Sequence, residues 1–189
     1  TATGPAGSPS YSKPGNHNAF EPIWANAEYT LSETAPAGQA ANYTASTWTC
    51  DKGVTVTGGK ITVPAGTTDV TCEITNTRNL AELKLVKKVT GDNNANPPAE
   101  WDLSAAASAP NDGKNFTVKG DADTFQGVFA GTEYTLSENG PGSYTASAWV
   151  CEDEQGAPVS STGGKVTITT GAKVTCEITN DRDTAELKL

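Results

Sequence analysis

Lys87, Glu138 and Asn180 each break the pattern of the segment they belong to. In ELKLVKKV, Leu83, Leu85 and Val89 share one parity, and Lys87 falls on it. In EYTLSE, Tyr134 and Leu136 share a parity with Glu138; in VTCEITN, Val174, Cys176 and Ile178 share one with Asn180. Alternate side chains of a β-strand point to the same side. A lysine, a glutamate and an asparagine are therefore all predicted to face an apolar interior, where each alone is costly. Together they can do chemistry. Desolvation lowers a lysine pKa and raises a carboxyl pKa. A neutral amine can then attack the asparagine amide while the acid polarises the carbonyl and shuttles protons as ammonia leaves. Holding the groups in place lowers the barrier by up to roughly 7–11 kcal/mol in well-oriented cases. The product is a covalent Lys87–Asn180 isopeptide bond, with Glu138 as its acid and base. The inert alternatives are a buried hydrogen-bonded triad and a lysine that snorkels out to solvent.

These residues need strands that bring distant stretches together. Short runs rich in Thr and Val, set between Gly, Pro and Asn, predict an all-β chain with many turns. Strands are expected at 82–89, 101–106, 115–119, 125–129, 133–137, 144–151, 165–170 and 173–180. The first is ambiguous, because Leu80, Leu83, Val86 and Val89 also fall at helical spacing. The repeat that contains it favours a strand.

The chain of 189 residues is a tandem repeat. EYTLSE occurs at 28–33 and 133–138, TGGK at 57–60 and 162–165, TCEITN at 71–76 and 175–180, and AELKL at 81–85 and 185–189. The unit is about 104 residues, a size that can bury its own core. On this reading 1–79 is a first repeat without its N-terminal strand, 80–182 a complete second repeat and 183–189 the start of a third. A chain cut mid-repeat at both ends is expected to be a window on a longer polypeptide. A further possibility is that subunits lend strands to one another at open sheet edges. In the first repeat Glu33 and Asn76 stand where Glu138 and Asn180 stand, with the lysine strand expected upstream of Thr1.

Four cysteines form two matched pairs, Cys50 with Cys72 and Cys151 with Cys176, at spacings unlike a zinc or redox motif. Equivalent pairs in equivalent contexts read as one disulfide per repeat, which implies an oxidising, extracellular setting. Buried free thiols are the alternative. Trp48 and Trp149 sit beside these cysteines on the same parity and read as core, as do Trp24 and Trp101. The net charge of −9 argues against nucleic acid. No run approaches the roughly 18 apolar residues of a membrane helix, so no membrane insertion is expected. His17 is the one histidine, which disfavours a triad or a histidine metal site. No metal site, cofactor motif or enzyme motif stands out.

LKLVKK, then YTLSEN-x-PGSY, then a last strand ending in Asn resembles the B-type repeats of Gram-positive collagen adhesins and the related shaft domains of sortase-assembled pilins. The resemblance covers nearly the whole chain. It implies tandem prealbumin-like (transthyretin/Ig-like) β-sandwiches, with Lys87, Glu138 and Asn180 matching the family's cross-linking residues. The paired cysteines depart from the family's core motif. The implied role is a structural repeat of an extracellular, cell-surface or cell-wall-attached bacterial adhesin, stalk or filament, with neighbouring repeats or subunits end to end. Such a protein is no enzyme beyond forming its own bond. Two other roles fit: a module binding a host or surface ligand through loops 34–42 and 152–161, or an accessory sandwich of a secreted enzyme.

Overall fold

The computed structural model describes residues 1–108 and 114–189. By contacts the chain divides into two units, Thr1–Thr77 and Arg78–Leu189. Both are built from strands. Among the described residues the only helical segments are 3₁₀ turns, and no helix is long and apolar enough to cross a membrane.

The first unit contains β1 (Ala2–Thr3), β2 (Glu28–Leu31), β3 (Tyr43–Ala45), β4 (Thr49–Cys50), β5 (Lys60–Thr62), β6 (Cys72–Glu73) and β7 (Asn76–Arg78), the last running just past its boundary. β1, β2 and β5 form one sheet, while β3 pairs with β7 and β4 with β6. A small core gathers Tyr29, Val54, Ile61 and Val63, with Leu31, Cys50 and Cys72 packed against it. Cys50 and Cys72 lie directly opposite on β4 and β6 and are joined by a disulfide.

The second unit contains β8 (Leu80–Thr90), β9 (Asp102–Ala107), β10 (Phe116–Lys119), β11 (Gln126–Phe129), β12 (Glu133–Asn139), β13 (Tyr144–Ala146), β14 (Val150–Asp153), β15 (Pro158–Val159), β16 (Lys165–Thr167) and β17 (Lys173–Arg182). One sheet runs β10-β9-β12-β16; the other runs β11-β8-β17-β14-β15, with β13 also on β17. Every pairing in the second unit is antiparallel except β8 with β17, the first and last strands, which run parallel side by side. The faces of the two sheets share one core. Ala81, Leu83 and Leu85 of β8 and Val174, Cys176 and Ile178 of β17 meet Leu103, Ala105, Tyr134 and Leu136 of β9 and β12. Burying each of the larger side chains stabilises the sandwich by about 1.5–3 kcal/mol. A disulfide joins Cys151 to Cys176 across β14 and β17.

Segment 80–90 forms a strand, with Ala81, Leu83, Leu85 and Lys87 buried in strict alternation. The i, i+3 spacing loses because one side of a period-2 strand places all three apolar residues in the core. Three expectations are corrected. The segment 144–151 is two strands, because residues 147–149 face only two residues of β17, between the pairs Ala146–Asn180 and Val150–Glu177. This extra residue is a bulge, held by Ser147, whose backbone N–H donates to the Thr179 carbonyl at 2.8 Å. Segment 152–161 contains β15, a hairpin partner of β14, with the Asp153 carboxylate accepting from Gln155 and Ala157 backbone N–H groups. Trp24 is 52% exposed rather than core. Its counterpart Phe129 lies in β11, which pairs with β8; among the described residues no strand pairs with 21–24.

Candidate functional site

β8 and β17 position two of the three residues. Their parallel register sets Lys87 opposite Ile178 and Val89 opposite Asn180. Lys87 and Asn180 therefore point to the same face, one strand over and two residues along. Strand spacing and rise put their Cα atoms about 8 Å apart, within reach of a lysine side chain and an amide extended towards each other. β12 brings the third residue from the facing sheet. Lys87 Nζ donates to Glu138 Oε2 at 2.5 Å. The lysine side chain is fully buried and the glutamate side chain only 15% exposed. Asn180 is buried, and its Oδ1 has no hydrogen-bond partner. The neighbouring lysines take the other face: Lys84 pairs with Asp123 and Lys88 with Glu177, both at 2.8 Å.

Burial holds the Lys87 pKa below the usual lysine value, with its hydrogen bond to Glu138 opposing the shift. The amine thus loses its proton more readily than a surface lysine and has a carboxylate in contact to take it. The unpartnered amide oxygen offers a place for a proton to go as the carbonyl is attacked. A buried amine in contact with a carboxylate, and an amide buried on the same face, are the groups that acyl transfer from amide to amine requires.

Sequence reasoning missed the residues that shape the pocket. The Trp101 ring lies 4.0 Å from Lys87 Nζ, measured to its centroid, so it covers the amine as well as belonging to the core. Gly120 passes beside Lys87, and its carbonyl accepts from the Lys87 N–H at 3.2 Å. A Cβ at Gly120 would meet Pro98 O at 2.4 Å and Lys87 Cβ at 2.6 Å. Gly140 is placed likewise against the Trp101 ring, where a Cβ would come within 2.3 Å. The signal available in sequence was weak: a Trp just before a strand and two glycines in turn-like contexts.

The first unit brings together its two expected residues. Asn76 Nδ2 donates to Glu33 Oε2 at 2.8 Å, and both residues are exposed. Lys119, next to Gly120, pairs with Asp102 at 2.8 Å, and His17 contacts Glu21 at 3.2 Å. Among the described residues no group of His, Cys, Asp and Glu is arranged to hold a metal.

A two-sheet sandwich whose first and last strands lie parallel, with a disulfide tying the last strand to β14 and a buried lysine–carboxylate pair between its sheets, defines a disulfide-braced β-sandwich domain. The chain belongs to the prealbumin-like fold domain family, whose model matches residues 1–74 and 79–178. Among solved structures it is similar to a major pilin protein of Streptococcus pyogenes, at 17% identity over 82% of this chain and 66% of that one, with a TM-score of 0.42. It is also similar to another major pilin of the same species, at 11% identity over 97% and 90% of the two chains and a TM-score of 0.38. A third is a bacterial adhesin from Mobiluncus mulieris containing intramolecular disulfide, isopeptide and ester bond cross-links, at 18% identity over 67% and 53% and a TM-score of 0.38. The chain spans just under two thirds of the first pilin's length. A comparison with curated proteins found no match.

Proposed function

We propose that the second unit cross-links itself through an isopeptide bond between Lys87 and Asn180, and that the chain is a structural part of an extracellular bacterial surface protein, an adhesin, stalk or pilus-like filament. The observation that carries the reading is the contact of the buried Lys87 amine with Glu138 on the face that also holds Asn180. Lys87 gives a proton to Glu138. The neutral amine attacks Asn180 Cγ as Glu138 passes that proton to Oδ1; Glu138 then carries a second proton from Nζ to the departing Nδ2, and takes back the Oδ1 proton as the carbonyl re-forms. The Nζ–Cγ bond forms, the Cγ–Nδ2 bond breaks, and one ammonia leaves.

The bond would join the first strand to the last. Tension entering at Leu80 and leaving at Arg182 then runs through covalent bonds and bypasses the sheet between them. The two disulfides suit an oxidising location. Residues 1–79 and 80–182 are taken as repeats and 183–189 as the start of another, with neighbouring repeats or subunits end to end. The function is mechanical rather than enzymatic. The test is the intact mass of the reduced chain followed after refolding. Loss of one ammonia is expected in the wild type and none in Lys87→Ala. In Glu138→Ala the loss should slow by 100-fold or more, the order of a general acid–base contribution. Equal rates with and without Glu138 would remove its proposed role.

A further inference from the structure

Trp101 lies over the Lys87 amine, and packing alone fixes how it lies. Its Nε1 is buried and makes no hydrogen bond among the described residues. On one side the ring meets the backbone at Gly140, where there is no side chain to adjust. On another it meets Tyr144, edge to face, with ring centroids 5.4 Å apart and planes at 85°. Tyr144 is itself held at its far end. Its Oη donates to Asp92 Oδ2 and accepts from Asn96 Nδ2, both at 2.8 Å. The Asn94 N–H at 2.9 Å and the Asn96 N–H at 3.0 Å fix the Asp92 carboxylate in turn. The Tyr144 hydroxyl, with these N–H groups, holds the Asp92 carboxyl below its ordinary range. The acceptor is therefore charged at neutral pH, which strengthens the bond. Asp92 follows the end of β8 by two residues, and Tyr144 opens β13, whose Ala146 lies opposite Asn180 on β17. The Asp92–Tyr144 contact thus spans β17 at the end that carries Asn180. It ties the strand of the amine to the far neighbour of the strand of the amide.

We propose that Tyr144, braced by Asp92 and Asn96, is a positioning residue for the cross-link: it holds the Trp101 ring over the Lys87 amine and keeps water from the pocket where amine and amide must meet. This role rests on the cross-linking chemistry proposed for Lys87, Glu138 and Asn180. Tyr144 acts through Trp101, the ring that covers the amine. The charged groups around the assembly are few. Glu138 of β12 contacts the amine, and the Arg182 guanidinium of β17 lies 5.1 Å from the Tyr144 ring centroid. Lys119 of β10 and Asp102 of β9 are paired with each other at 2.8 Å. Lys84 and Lys88 of β8 take the opposite face, paired with Asp123 and Glu177. Tyr144→Phe keeps the edge-to-face ring and cuts the tether, so both rings are free to swing. A small misplacement at a reacting centre costs orders of magnitude in rate.

The test follows ammonia loss by intact mass of the whole chain at several pH values, counted from the end of folding as seen by fluorescence. Tyr144→Phe is expected to slow it about 10–100-fold. Asp92→Asn, which weakens the same tether, should slow it in the same direction, and carries the test alone if Tyr144→Phe does not fold. Thr90→Val is the control. It removes another 2.8 Å hydrogen bond, Thr90 Oγ1 to Asp181 Oδ1, from the same end of β8 without touching Trp101, and should leave the rate unchanged. Water admitted to the amine also raises the pH at which the Lys87–Glu138 pair loses its shared proton. The alkaline limb of the pH–rate profile should therefore move to higher pH in Tyr144→Phe and stay in place in Thr90→Val. Ammonia loss at the native rate in both tether variants would overturn the role, as would equal slowing in Thr90→Val or a slower rate with an unmoved limb. Those outcomes leave the native chain's own ammonia loss intact; a native chain that loses none removes the chemistry and this role with it.

Discussion

Lys87 is in a place that disfavours its charge, and this has a measurable sign. Its folded pKa is lowered by burial, whereas the unfolded chain titrates near the ordinary value of 10.5. Between those two values the unfolded state binds more protons than the folded one, so stability rises with pH in that window. In a chain kept open by Asn180→Ala, the second unit is therefore predicted to gain stability as pH climbs towards 10.5. Comparison with Asn180→Ala/Lys87→Met isolates the effect from the other lysines, since the double variant lacks that rise. Denaturant unfolding at several alkaline pH values reads the difference; parallel pH profiles would contradict it. The three polar residues were legible in the sequence because strand parity is a simple rule and a lysine on an apolar parity demands a partner. Trp101 read only as core, because nothing in a one-dimensional pattern says which ring will lie over which amine.

At the scale of elements, the site depends on close approaches as much as on strands. Gly120 and Gly140 let the backbone and the Trp101 ring close over Lys87. Gly120→Ala forces a methyl into the Pro98 carbonyl and the lysine stem, neither of which can yield without moving β8 or its neighbour. It is predicted to destabilise the second unit by about 1–3 kcal/mol, the cost of overpacking, and to slow ammonia loss. Gly127→Ala, where no atom lies within 4 Å of the added Cβ, serves as the neutral control. Thermal unfolding with mass measured over time checks both effects, and equal behaviour of the two variants would contradict them. The strand set was largely readable from alternation and from the repeat. The bulge at 147–149 was not, because one extra residue in a strand leaves the parity of its two halves intact on either side. Trp24 misled for a different reason: the parity of 21–24 resembles that of β11, but its exposure depends on a neighbouring strand that the local sequence does not contain.

For the molecule as a whole, the consequence of the cross-link is a change in what can be stretched. With Lys87 joined to Asn180, pulling a tether at Leu80 against one at Arg182 leaves residues 88–179 outside the load path. Asn180→Ala returns them to it, apart from the loop closed by Cys151 and Cys176. Single-molecule pulling is predicted to show no unfolding step from the second unit in the native chain and a clear one in Asn180→Ala. Reduction should lengthen the variant's step by about 80 Å, the reach of the 25-residue disulfide loop. Removing that disulfide with Cys151→Ala/Cys176→Ala should cost about 3 kcal/mol of stability in the unlinked chain. The sequence shows the repeat and its pairs of cysteines plainly, since identity at long range needs no geometry. The parallel neighbourhood of the first and last strands, from which the mechanical argument follows, comes from topology and was not contained in any local pattern.

The central claim is tested most directly by a tryptic map of the reduced, denatured chain. The account predicts a branched peptide in which the Lys87 side chain is joined to the Asn180 side chain, and no separate peptide ending at an unmodified Lys87. Recovery of both segments as ordinary linear peptides, with Asn180 intact, would contradict it.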